Sequence, residues 1–358
     1  MRSHNSILAG LARWVTIAVV ASPLSSLQAP CSARSNPVVF QKGFSFAAWT
    51  ADGFLGKASD DQLAAMKRGG VQWVSIVTLW QQATPASTVI APAPLWTSTD
   101  ESLRHVIREA HRIGLKVMLK PQIDLAGPGW RGEITFTKEE DWQAWFASYR
   151  RFIEYHADLA ASEKAELFCV GVELDGTRHR EADWRQVVSS VRKRYKGPLT
   201  YAANWNRETD IAWWDALDYV GVDAYYPLAD RPGRSVEDLK AAWRPYVQRL
   251  RDLSARVRKP ILFTEIGYRS SIRAAMEPWE WALPQPVSLD EQARLYRAAL
   301  DTFWDEPWFA GAYWWLWEVR DVPDAHADTG YSVRGKPAWD IVKAFYAKLR
   351  KAPTPPTR

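Results

Sequence analysis

Residues Ile261-Leu262-Phe263-Thr264-Glu265-Ile266-Gly267 carry four apolar or β-branched side chains straight into a carboxylate and then into a glycine. A strand buried on both faces of a parallel sheet reads as a near-continuous apolar run. This stretch has that form, with one charge at its C-terminal tip. A lone carboxylate is costly to bury and is not put there for packing. In barrels and open α/β sheets, ligands and chemistry sit at the C-terminal tips of the strands. Glu265 therefore reads as a functional acid, and the rest of the chain has to supply a parallel fold and a second carboxylate.

Six runs of the same kind precede it, at 43–49, 73–80, 116–124, 167–174, 199–204 and 219–226, and an eighth follows at 310–317. Helical periodicity is expected between them, near 59–69, 99–114, 139–159, 182–195, 236–253 and 290–304, with a closing helix at 337–349. Thr99 reads as a cap, and Gly69, Gly70 and Gly114 read as helix ends. After the fifth run only a short helical turn around Trp213-Trp214 is expected. Eight strand–helix units predict a single (β/α)8 TIM barrel, an α/β fold spanning 34–350 as one catalytic domain. A doubly wound sheet would want a glycine fingerprint after its first strand, and none is present.

The chain has 358 residues, 47% apolar and 24% charged, an ordinary globular balance. Its net charge of +5 is scattered among nearly as many acids, and no basic run is interleaved with aromatics, which argues against nucleic acid as a partner. Tryptophan is over-represented at 21 copies, several beside strand ends, which suggests flat platforms for sugar rings. Arg2 and Arg13 with the apolar run 14–24 and Cys31-Ser32-Ala33 read as a signal peptide over 1–33, and hence a secreted or periplasmic protein. A lipid anchor through Cys31 is the alternative. No membrane span is expected in the mature chain, and 351–358 reads as a disordered tail. Neither the two cysteines nor the six histidines have metal-ligand spacing, so no metal or cofactor is expected.

Alternate side chains of a strand point the same way. Counting back from the tips puts Cys169, Gly171 and Glu173 on the lumen face of the fourth run. The same count puts Ile261, Phe263 and Glu265 on the lumen face of the seventh. Two glutamates on roughly opposite strands of one rim suit glycoside hydrolysis by double displacement. One stays ionised and attacks, while the other is held protonated and serves the leaving oxygen. Retention of configuration needs the carboxyls about 5–5.5 Å apart, whereas inversion leaves room for a water. Apolar neighbours and the nearby charge are expected to raise Glu173. Tyr225, on the lumen face of the sixth run, could donate to Glu265 and keep it charged. The competing expectation is a pair of surface acids tied to rim arginines such as Arg178 and Arg269.

Several segments together carry a resemblance: 170–174 (Val-Gly-Val-Glu-Leu), 218–227, 263–267, Tyr313-Trp314-Trp315-Leu316-Trp317 and 330–337. A Glu ending strand four, a Glu ending strand seven and an aromatic ending strand eight resemble the retaining glycoside hydrolases of clan GH-A. The full set is most similar to glycoside hydrolase family 113, over nearly all of 43–349. That resemblance implies endo-β-1,4-mannanase activity, with Glu173 as acid/base, Glu265 as nucleophile and Trp315 under the sugar of the −1 subsite. Most of the clan has an Asn before the acid/base to hold the sugar 2-hydroxyl. Val172 stands there in this chain, and family 113 lacks that Asn as well. Asn204, Lys120 or Gln122, at neighbouring strand tips, could replace it.

Asp223 shares a face with Tyr225 and could orient it, bind sugar hydroxyls or be a buried structural acid. Trp80, Trp205 and Trp317 sit at strand tips as candidate subsite walls, with Trp49 and Trp130 as weaker ones. Asp124, Asp175 and Glu318 read as loop or subsite residues. The expected partner is a polysaccharide or oligosaccharide substrate, met by a monomeric enzyme. A hydrolase of xylan, β-glucan or a cell-wall glycan, or a non-catalytic polysaccharide-binding barrel, would carry the same features.

Overall fold

The computed structural model describes residues 39–350. The signal peptide expected at 1–33, with Cys31, and the tail expected at 351–358 lie outside them. Eight parallel strands close into a barrel in chain order: β1 (Gln41–Ala47), β2 (Trp73–Gln82), β3 (Lys116–Leu125), β4 (Leu167–Val172), β5 (Leu199–Asn204), β6 (Val220–Asp223), β7 (Ile261–Ile266) and β8 (Phe309–Glu318). Helices α1 (Lys57–Arg68), α2 (Asp100–Arg112), α3 (Glu139–Ser162) and α4 (Glu181–Arg194) follow the first four strands. After β5 the chain makes only two short 3-10 turns, Glu208–Asp210 and Trp214–Ala216. Helices α5 (Val236–Val257), α6 (Leu289–Phe303) and α7 (Pro337–Tyr346) complete the (β/α)8 TIM barrel.

Local chemistry sets the helix starts. The Thr99 hydroxyl accepts from the Ser102 amide at 3.2 Å, Ser235 and Asp238 form a reciprocal capping box, and Ser288 accepts from the Glu291 amide. Pro337 opens α7, where a missing N–H costs nothing.

The apolar interior has two layers. Inside the barrel lie Trp73, Met118, Leu167, Cys169, Val172, Ala202, Leu262, Ala310 and Tyr313. A larger layer between strands and helices holds the bulk of the aromatics, including the fully buried Trp145, Trp184, Trp213, Trp214, Trp243 and Trp314. Trp184 and Trp213 stack face to face at 5.0 Å. Most of these indoles fill the gap between the barrel and its helices, the packing role that any single tryptophan takes by default.

Strand register shifts in four of the eight strand pairs. The β4–β5 register shifts between Cys169 and Val172, β7 shifts against β6 between Phe263 and Glu265 and against β8 both between Ile261 and Phe263 and between Phe263 and Ile266, and the β1–β8 register shifts between Phe44 and Phe46, opposite Trp314–Trp317. Such bulges re-aim side chains next to sites. They correct the lumen assignments made by simple alternation. Val172 packs inside the barrel, while a Cβ on Gly171 would run into the outer aromatics Tyr149, Trp184 and Tyr201. Ile261 and Phe263 face outward, Phe263 lying against Trp243, Phe303 and Phe309.

Candidate active site

Glu173 follows β4 directly, with its amide bonded to the Ala202 carbonyl at 2.8 Å and its φ at 51°. A non-glycine residue in the left-handed region costs of order 1–3 kcal/mol and persists only where the surroundings enforce it. Here that backbone turn, after the β4 irregularity, sends the carboxyl toward the mouth of the barrel. The loop after β3 then closes over it. Arg131 donates to Glu173 at 3.4 Å and pairs with Asp124 at 3.4 Å, and the Trp130 side chain hydrogen-bonds the same carboxyl. Burial, and then the charge on Glu265, push Glu173 up, against the pull of Arg131.

Glu265 lies on β7 beside Asp223 of β6, its partner in register. Tyr225 Oη donates to Glu265 Oε2 at 2.7 Å, and Lys120 Nζ makes a close ion pair with Oε1. Lys120 also reaches both oxygens of Asp223, at 3.2 and 3.3 Å, and Thr264 Oγ1 donates to Asp223 at 2.8 Å. Both carboxylates thus have a donor on each side, and only Glu265 has any access to the mouth. Burial alone would lower Lys120, but Asp223 and Glu265 outweigh it and hold the ammonium charged.

Next to this pair lies the aromatic end of β8. Trp315 is half-buried, 6.4 Å from Trp49, and Trp49 Nε1 is tied to Glu318 at 2.6 Å. Gly267, just past β7, is required by this approach: a Cβ there would lie 2.3 Å from the Trp315 carbonyl oxygen. Tyr331 contacts Tyr225 at 6.3 Å and donates to the Pro278 carbonyl, which fixes the loop after β7.

Four expected substrate contacts have protein partners instead, and for Asp223 this is the buried-acid alternative. Lys120 and Asp223 are fully buried and paired with each other, Lys120 also with Glu265 and Asp223 with Thr264. Trp80 turns outward onto Phe152, Tyr155 and His156 of α3, and strand parity already pointed that way. Trp317 is turned outward by the β8 irregularity, onto Phe44 and Trp339, with Nε1 on Gln62. Gln122 remains a candidate: it lies one pleat above Lys120 on the lumen face of β3, and its Nε2 finds no acceptor among the described residues. Asn204 Oδ1 accepts from the Trp205 amide, and its side chain hydrogen-bonds Asp175. Trp205 stacks on Trp279 at 5.5 Å at the rim.

The arginine beside Glu173 is Arg131, which sequence counting passed over; Arg178 and Arg269 hold Asp210 and loop carbonyls instead. The glycine-rich stretch 127–132 was the available signal for a loop folded over the site. Among the described residues no group of three His, Cys, Asp or Glu side chains could hold a metal ion, and no helix is long and apolar enough to cross a membrane.

Asp175, two residues past Glu173, is pushed up to about 7 by burial and then by the Glu173 charge, against Arg178 and Arg207. A carboxyl raised in the folded state stabilises most at low pH, and that contribution is lost as pH climbs toward the folded value. Asp175→Asn should therefore melt above wild type at pH 8 and not at pH 4. Equal thermal shifts at both pH values would refute this.

The sequence profile of Glycoside Hydrolase Family 113 matches residues 44–336. The β-mannanase of that family from Alicyclobacillus acidocaldarius, solved in complex with ManMIm, is 34% identical, with a TM-score of 0.80 over 86% of this chain and 97% of that one. A family 113 β-1,4-mannanase, solved as a complex, is 30% identical, also with a TM-score of 0.80, over 86% of this chain and 99% of that one. The Faecalibacterium prausnitzii β-glucuronidase, at 17% identity and TM-score 0.58 over 86% of this chain and 49% of that one, shares the fold alone. No curated protein sequence matches the chain.

Proposed function

The chain belongs to glycoside hydrolase family 113 and is a glycoside hydrolase, and on that premise we propose an endo-β-1,4-mannanase that works by double displacement, with Glu265 as nucleophile and Glu173 as acid/base. The observation that carries this is the contrast between the two carboxyls. Glu265 accepts from a phenol and pairs with an ammonium, while burial pushes Glu173 toward the neutral form. In the first step Glu265 attacks the anomeric carbon as Glu173 protonates the departing oxygen. In the second, water attacks the same carbon, Glu173 takes its proton and Glu265 departs. Trp315 is the proposed platform under the reacting ring. Gln122 is the proposed partner of its 2-hydroxyl, because Val172 packs in the lumen and offers no polar group. On the N-terminal segment we place the mature enzyme outside the cytoplasm.

The test is a product screen of the purified enzyme against mannan, xylan, β-glucan and peptidoglycan. Mannan cut into a ladder of oligosaccharides is expected. Preferred release from another glycan, or of single sugars only, would overturn the substrate or the endo assignment.

Arg131 tests the acid/base separately. It opposes the upward push on Glu173, whose other titratable or charged neighbours include Glu265, Lys120, Asp175 and Asp223. Protonated Glu173 is the working form in the first step, so kcat/KM falls as pH rises through its value. Arg131→Met should move that alkaline limb to higher pH. A limb that stays in place, or moves down, would contradict the role.

A further inference from the structure

We propose that Lys120 and Asp223 form a buried counter-charge pair that positions Glu265 and assists its departure from the sugar in the second step; this rests on the glycosidase reading of Glu265. Burying an isolated ammonium costs about several kcal/mol. The Lys120 position, one pleat from Met118 in the same lumen, would accept an apolar side chain at no such cost. Packing therefore does not explain the charge. Its two partners do.

Asp223 and Glu265 are register partners on adjacent strands. Without a cation between them, their repulsion would leave one protonated, and a protonated Glu265 cannot attack. With a cation but no Asp223, the ammonium would be committed wholly to Glu265 and would blunt it as a nucleophile. The observed arrangement avoids both extremes. One ammonium is shared by two carboxyl groups: burial and then the Glu265 charge push Asp223 up, Lys120 pulls it back, and Glu265 is the member with access to the mouth. Thr264 on Asp223 and Tyr225 on the other oxygen of Glu265 fix both carboxylate planes.

The consequence differs between the two steps. In the first, a bond forms between the anomeric carbon and a Glu265 oxygen, the bond to the leaving oxygen breaks, and the proton of Glu173 goes to that oxygen. Glu265 becomes a neutral ester, and Lys120 is left paired with Asp223. In the second, water adds to the anomeric carbon, its proton passes to Glu173, and the bond to Glu265 breaks with its electron pair returning to the carboxylate. Lys120 stabilises charge that is appearing in the second step and disappearing in the first. Its loss should slow the second step more.

The test is the paired double variant Lys120→Met/Asp223→Asn, compared with Lys120→Arg and wild type on an activated aryl β-mannoside. The double variant removes the cation and its buried carboxyl partner together, leaving neither unpaired, and should melt near wild type. We expect kcat to fall about 100-fold with kcat/KM within about 10-fold, so that KM falls and a burst of aryl alcohol appears. Lys120→Arg retains the cation and should show no burst. Equal losses in kcat and kcat/KM, or a double variant with wild-type kinetics, would overturn the proposal, since mere neutralisation would then suffice. A double variant that fails to fold leaves Lys120→Arg as the deciding variant, and a burst there would equally overturn it. Failure of the underlying reading shows differently, as undiminished turnover in Glu265→Gln.

Discussion

Glu265→Gln is expected to lower kcat on the cleaved glycan by about 10,000-fold or more, with the fold intact. The amide cannot attack the anomeric carbon, so the covalent step is lost outright. The fold should survive because each neighbour keeps a partner. The amide oxygen can accept from Lys120, the amide nitrogen can donate to Tyr225 Oη, and Lys120 retains Asp223. Thermal melting checks the fold, and initial rates check turnover. Activity within about tenfold of wild type, in a preparation shown free of contaminating enzyme, would remove Glu265 from the mechanism.

Glu173→Ala should show a different pattern because the proposed mechanism uses the residue in both steps. With a poor leaving group, loss of the proton donor is expected to cost about 100- to 10,000-fold in kcat/KM. With a dinitrophenyl leaving group, which needs no proton, kcat/KM should fall far less. The second step then limits, since no base remains to activate water. Azide, already a strong nucleophile, should restore kcat by about tenfold or more and yield the β-glycosyl azide. The space vacated by the carboxyl lies under the loop that carries Trp130 and Arg131, and Arg131 would attract the anion. No rescue, or an α-glycosyl azide, would point to another acid/base.

The fold was legible because its signals are local and repeated. Eight apolar runs, the capping residue Thr99, and glycines at helix ends fall where the barrel places its elements. The tips of β4 and β7 were legible for a similar reason, because a carboxylate ending an apolar strand is costly to explain otherwise. What alternation could not supply was orientation at the mouth. Glu173, Glu265 and Trp315 all sit at register irregularities, and a bulge inverts the parity of everything beyond it. Hence Phe263, counted into the lumen, faces the helices, and Trp317, counted as a platform, lies under α7. Lys120 was found as a candidate but assigned to the sugar. Its true surroundings depend on a pairing across the barrel, from β3 to β6 and β7, which no local pattern encodes. Arg131 was missed because loop residues carry no periodicity.

The central claim is that Glu265 and Glu173 cleave a β-glycoside with retention. Proton NMR of the first product, recorded before mutarotation equilibrates the anomers, tests it most directly. On a β-linked manno-oligosaccharide the new reducing end should appear first as the β anomer, with the α anomer growing in later. An α anomer appearing first would show inversion, and would contradict a covalent role for Glu265.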